Sequence, residues 1–99
     1  MKNIEMNKLA ILLAKNYIPF EIYPYHIGSD DYFQLCYPNK TDCIIDAVST
    51  PHTYGGRDGL IEIMCEKYAH AWDWWDDVKG NLTAEEAYKY FERADRIDF

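Results

Sequence analysis

The chain reads as an α+β domain: a three-stranded antiparallel meander covered by one amino-terminal and two carboxy-terminal helices, in the order α-β-β-β-α-α. Three observations predict it. Apolar residues recur at spacings of three and four over residues 3–16, and they alternate with a period of two between Ile18 and Ser49. Helical spacing then returns after Tyr54-Gly55-Gly56-Arg57-Asp58-Gly59, with no proline to the end of the chain.

In the first segment Met6, Leu9, Ala10, Leu13 and Tyr17 form a stripe that Leu12 widens, so one helical face covers a core. Asn3 is placed to cap this helix, and Pro19 closes the helical pattern beyond Asn16. Ile18, Phe20 and Ile22 then alternate with Pro19, Glu21 and Tyr23, a half-buried strand that Pro24 ends or confines to a sheet edge. A turn over residues 27–31 leads to a strand with Phe33, Leu35 and Tyr37 on one face. A second turn over residues 38–42 leads to a third strand, residues 43–49, with Ile45 and Ala47 on one face. Short connections favour antiparallel neighbours.

Beyond the glycines, Leu60, Ile63, Met64, Tyr68, Ala71, Trp72 and Trp75 form a helical stripe, which predicts a helix over residues 59–76 entered through a strand-to-helix turn capped by Asp58. Gly80 breaks it. Thr83 and Glu86 then stand at capping-box spacing, each covering the other's amide, and the last helix follows with Ala84, Ala87, Tyr88, Phe91 and Ala94 on one face.

Length and charge narrow the function. Ninety-nine residues make one domain, and 48% apolar with 16% aromatic residues describes a packed globule. The net charge of -7 disfavours direct binding to nucleic acid, which rests on cations that release counterions from phosphates. An acidic surface serves either solubility or docking to a basic protein. Residues 59–99 carry ten acids against five bases, so the helical half is the expected docking side. The start of the chain lacks a signal-peptide pattern and no run is long enough to span a membrane, so a cytoplasmic protein is expected. Cys36, Cys43 and Cys65 sit in apolar pattern and read as buried, reduced thiols.

No catalytic, cofactor or metal site emerges, and an enzyme is not expected. His26, His52, His70 and the cysteines show no paired ligand spacing. A thiol hydrolase would need Cys43 or Cys65 beside a histidine, which the sequence does not place. The glycine-rich stretch lacks the Lys-Ser/Thr of a phosphate loop, and Asp58 would repel an anion there. The aromatic cluster is more informative. On a helix Trp72 and Trp75 join the apolar stripe, whereas Trp74 points elsewhere, either packed beneath a loop or exposed among Asp73, Asp76 and Asp77. Exposed, it is an interface anchor; Trp74, Asp73, Asp76, Asp77, Glu66 and Glu62 are the expected partner-binding residues.

Two segments, Y-G-G-R-D-G-L-I-E-I-M at residues 54–64 and V-K-G-N-L-T-A-E-E-A-Y at residues 78–88, together with Tyr37-Pro38, resemble the small acidic proteins encoded by phages and prophages of Firmicutes. The chain departs from that pattern between Cys65 and Trp75, where three tryptophans stand in place of a glycine and a glutamate-rich run. The resemblance implies phage origin and action in the bacterial host cytoplasm. The expected function is then an anti-defence inhibitor of the anti-CRISPR kind, whose carboxylates stand in for phosphates on a host nuclease. The alternative is a phage accessory protein that assembles with itself or with another phage protein.

Overall fold

A computed structural model describes residues 3–65 and 78–96 of the chain. Its elements are α1 (Ile4–Lys15), β1 (Glu21–Ile27), β2 (Asp30–Tyr37), β3 (Ile45–Val48), a single 3-10 turn (Gly56–Asp58), β4 (Ile61–Met64), β5 (Val78–Leu82) and α2 (Ala84–Arg96). The α+β class holds, but the expected three-stranded meander does not. Five strands lie side by side in chain order, each antiparallel to the next, and the described helices number two.

The difference arises beyond Gly59, where a strand replaces the expected helix. Leu60, Ile61, Ile63 and Met64 satisfy a helical stripe and a strand alternation alike, and β-branched isoleucine favours the second. Ile61 and Ile63 are fully buried while Glu62 is half-buried and Met64 exposed, and the segment pairs with β3 through Ala47–Ile63 and Val48–Glu62. The glycine-rich stretch is therefore a strand-to-strand connection, and Asp58 caps no helix. Gly80 likewise lies inside β5, where the pairing with β4 is irregular between Ile61 and Ile63 and Asn81 takes a φ of 58°.

Parity then sorts the side chains. One sheet face carries Leu35, Tyr37, Ile45, Ala47, Ile61, Ile63 and Leu82, which pack with Met6, Leu9 and Leu13 of α1 and Ala84, Ala87, Phe91 and Ala94 of α2 into one core. The Tyr37 ring meets Phe91 edge-on at 6.1 Å, and its hydroxyl donates to Asp95 Oδ1 at 3.1 Å, fastening α2 to the second strand. Burial in this contact, then the Asp95 carboxylate, push the Tyr37 phenol up to about 12.

Details of the helices differ from expectation. Asn3 makes no side-chain cap; it takes a left-handed conformation and donates instead to the Asp31 carbonyl at 2.9 Å. Tyr17 falls past the helix end and is 93% exposed. The capping box of α2 forms as read: Thr83 N–H donates to Glu86 Oε1 at 3.0 Å and Glu86 N–H to Thr83 Oγ1 at 3.2 Å. A third amide, that of Ala84, donates to Glu5 Oε1 of α1 at 2.9 Å.

Candidate functional site

The sheet face opposite the helices is the most distinctive surface that the fold produces. Strand pairing puts Glu21, Tyr23 and Tyr25 of β1, Asp30, Tyr32, Gln34 and Cys36 of β2, Asp46 and Val48 of β3, and Glu62 and Met64 of β4 on that side. Four carboxylates and three tyrosines thus share one face. No described strand contributes a cation to it, since Lys79 of β5 falls opposite Ile63 on the other side. An amine does approach it from the β2–β3 connection: Lys40 Nζ lies 3.7 Å from the centroid of the Tyr23 ring.

Local contacts hold these groups in place. Tyr25 and Tyr32 pack ring against ring at 6.3 Å, and Tyr32 is buried. Gln34 Nε2 donates to Asp46 Oδ2 at 2.6 Å. Burial raises the Asp46 carboxyl above the ordinary range; the Gln34 donor opposes this and the Glu62 charge adds to it. Burial also raises the Tyr25 phenol, followed by Tyr32, Asp46 and Glu62. The acids and phenols therefore disfavour one another's charge, and a cation brought by a partner would relieve them.

Of the six residues expected to bind a partner, Glu62 alone is described. It stands on a strand, and Oε2 accepts from the Tyr54 amide at 2.7 Å. Trp74, Asp73, Asp76, Asp77 and Glu66 lie outside the described residues, as does most of the helix read over residues 59–76. On α2 the acids Glu85, Glu86, Glu92 and Asp95 are interleaved with Lys89, Arg93 and Arg96, and Arg96 reaches Glu92 at 3.5 Å, so that helix is mixed in charge. Sequence reading missed the sheet face. The signal was present in the alternation Glu21-Ile22-Tyr23 and Tyr32-Phe33-Gln34, whose polar members share one side.

The β3–β4 connection forms one border of this face. Ser49 Oγ donates to the Leu60 carbonyl at 2.8 Å and closes its neck, while Thr53 Oγ1 accepts from the Thr50 amide at 3.0 Å. The Gly56 and Gly59 amides donate to the Thr53 and Gly56 carbonyls, and Asp58 and Leu60 both donate to the Gly55 carbonyl. A β-carbon on Gly56 would lie 1.6 Å from the Thr50 carbonyl oxygen, and one on Gly80 would lie 2.3 Å from Tyr54 Cβ. Two open clefts flank this connection, of about 420 and 480 Å³, and Arg57 and Asp58 line both. Opposite charges side by side leave no bias toward phosphate, and the three-residue turn leads into a strand rather than a helix.

The cysteines do not form the uniformly buried set expected. Cys36 and Cys65 are buried, but Cys43 is exposed. Burial raises the thiols of both Cys36 and Cys43, the second to about 12, which is opposite to what a catalytic nucleophile requires. No group of three or more metal-ligating side chains gathers among the described residues, and no described helix is long and apolar enough to cross a membrane. Compared with models of known families, with curated proteins and with solved structures, the chain matches none. Its fold and surface define it as an α+β protein with a five-stranded meander, covered by helices on one side and acidic and tyrosine-rich on the other.

Proposed function

We propose that this chain is a non-catalytic, phage-derived inhibitor of a host defence nuclease, of the anti-CRISPR kind, and that it docks through the acidic, tyrosine-rich sheet face. One observation carries the reading: Glu21, Asp30, Asp46 and Glu62 share a sheet face with Tyr23, Tyr25 and Tyr32. Carboxylates on a rigid sheet stand in for the phosphates that a nuclease groove attracts, and tyrosine supplies contact area with few rotamers to freeze. The net charge of -7 and the likeness of residues 54–64 and 78–88 to phage and prophage segments support the choice of partner.

Binding of the purified chain to purified CRISPR nucleases at rising salt tests this. The expected result is a complex that weakens at least about tenfold between low and physiological salt, and a block of target cleavage. Glu21→Lys with Asp30→Lys should abolish it while circular dichroism stays unchanged. Loss of binding in Asp73→Lys, Asp77→Lys and Trp74→Ala, with the sheet variant binding normally, would assign the contact to residues 73–77 instead. Absence of a salt-sensitive complex with every nuclease tried would end the inhibitor reading.

A second reading is favoured by β1, a seven-residue strand at the sheet edge on which Ile22 is 48% exposed. An unpaired edge can add a strand from another copy, although Pro24 removes one donor from it. Light scattering decides between them, because a self-assembling accessory protein would be a stable oligomer that Ile22→Lys disperses.

A further inference from the structure

Cys36 and Cys43 lie at the two ends of the β2–β3 connection. Cys36 is on β2, 3% exposed, and Cys43 is exposed just before β3. The connection folds back on itself, with the Ile44 amide donating to the Tyr37 carbonyl at 2.6 Å, and this return sets the Cys43 thiol beside that of Cys36. Cys43 Sγ also donates to the Ile45 carbonyl at 3.3 Å, which fixes the exposed sulfur at the strand entrance. Cys65 belongs to the core on the helix side of the sheet and takes no part.

We propose that Cys36 and Cys43 are a redox pair that closes to an intramolecular disulfide by exchange with a low-molecular-weight disulfide. The asymmetry of exposure assigns the roles. The Cys43 thiolate meets the incoming disulfide, forms a mixed disulfide and releases one small thiol. The Cys36 sulfur then attacks Cys43 Sγ, the protein disulfide forms, and the second small thiol leaves. Both protein thiol protons pass to the two departing thiolates, so one oxidant molecule becomes two thiols. The bond would tie down residues 37–42, including Lys40, whose amine covers Tyr23 at the margin of the acidic face. Burial disfavours both thiolates, as do the nearby carboxylates, Asp46 for both and Glu21 for Cys36; exchange is accordingly slow at neutral pH and accelerates through the alkaline range.

Oxidised glutathione added to the full chain, followed by trypsin without reductant, tests the proposal. Cleavage after Lys40 separates the two cysteines into peptides 16–40 and 41–57, which stay joined only through the new bond. The expected result is the joined pair, a chain lighter by two hydrogens, and a melting temperature higher by roughly 5–10 °C that reductant reverses. Cys36→Ser should stop at a glutathione adduct on Cys43. A wild-type chain that also stops at that adduct would overturn the proposal. So would one that links Cys65, or one that remains unreacted at alkaline pH while the denatured chain cross-links.

Discussion

Asp46 shows how a single side chain links stability to the proposed docking face. Its carboxyl is raised, first by burial, so the native state holds its proton more tightly than the unfolded chain does. For such a group stability falls as pH rises from the unfolded pKa, about 4, through the raised native value, and acidification within that window restores it. Glu86 behaves oppositely, because hydrogen bonds from the Thr83 amide and then its hydroxyl lower the carboxyl, and its contribution is lost as pH falls through that lowered value. The melting temperature should therefore rise on mild acidification and drop at stronger acid. Asp46→Asn should keep the acceptor for Gln34, stabilise the protein at neutral pH by less than about 1 kcal/mol, and flatten the mild-acid rise. A pH series of thermal melts on both proteins checks this; an unchanged slope would remove Asp46 as its source. Gly56 makes a contrasting case, governed by space. Gly56→Ala should cost upwards of about 2 kcal/mol, near 10 °C in Tm, because backbone of Thr50 blocks the new methyl. Gly28→Ala meets no atom within 4 Å and only a positive φ of 62°, so its cost should be about 1 kcal/mol.

The carboxy-terminal helix depends on its first turn. Thr83 and Glu86 satisfy two of its orphan amides, and Glu5 on the other helix satisfies a third, so the end of one helix is held partly by the start of its neighbour. Thr83→Ala should lower stability by about 1 kcal/mol. Glu5→Ala should also destabilise the protein, although Ala suits a helix interior better than Glu does. In the double variant the two losses should exceed or fall short of their sum by about 0.5 kcal/mol or more, since both caps serve one helix end. Urea melts of the four proteins measure this; strict additivity would mean that the Glu5 contact does not couple the two helices.

Across the sheet, cover by the helices is uneven. Ile45, Ala47, Ile61 and Ile63 of β3 and β4 are completely buried, whereas Ile22 of β1, on the same sheet side, is half exposed. Opening free energies should follow that gradient. Amide hydrogen exchange is expected to be slowest in β3 and β4 and faster in β1 by about a hundredfold or more, the ratio for a difference of about 3 kcal/mol. Equal protection in β1 and β4 would contradict it. The same gradient leaves Ile22 of the outer strand accessible, while the core-facing side chains of the inner strands are sealed.

Local chemistry was legible in the order of residues wherever one pattern had one meaning. The stripe Met6-Leu9-Leu13, the alternation through Leu35 and Tyr37, and the Thr83–Glu86 box each specify an element through contacts a few residues apart or through a single period. The segment Leu60 to Met64 had two meanings, and nothing within it could choose. Its strand state depends on partners distant in the chain, β3 on one side and β5 on the other, and on the folded connection that returns it beside Val48. The acidic face follows the same logic. Glu21, Asp30, Asp46 and Glu62 are scattered over forty-two positions, and only strand pairing gathers them, because backbone hydrogen bonds between strands fix the register that decides which side each carboxylate takes.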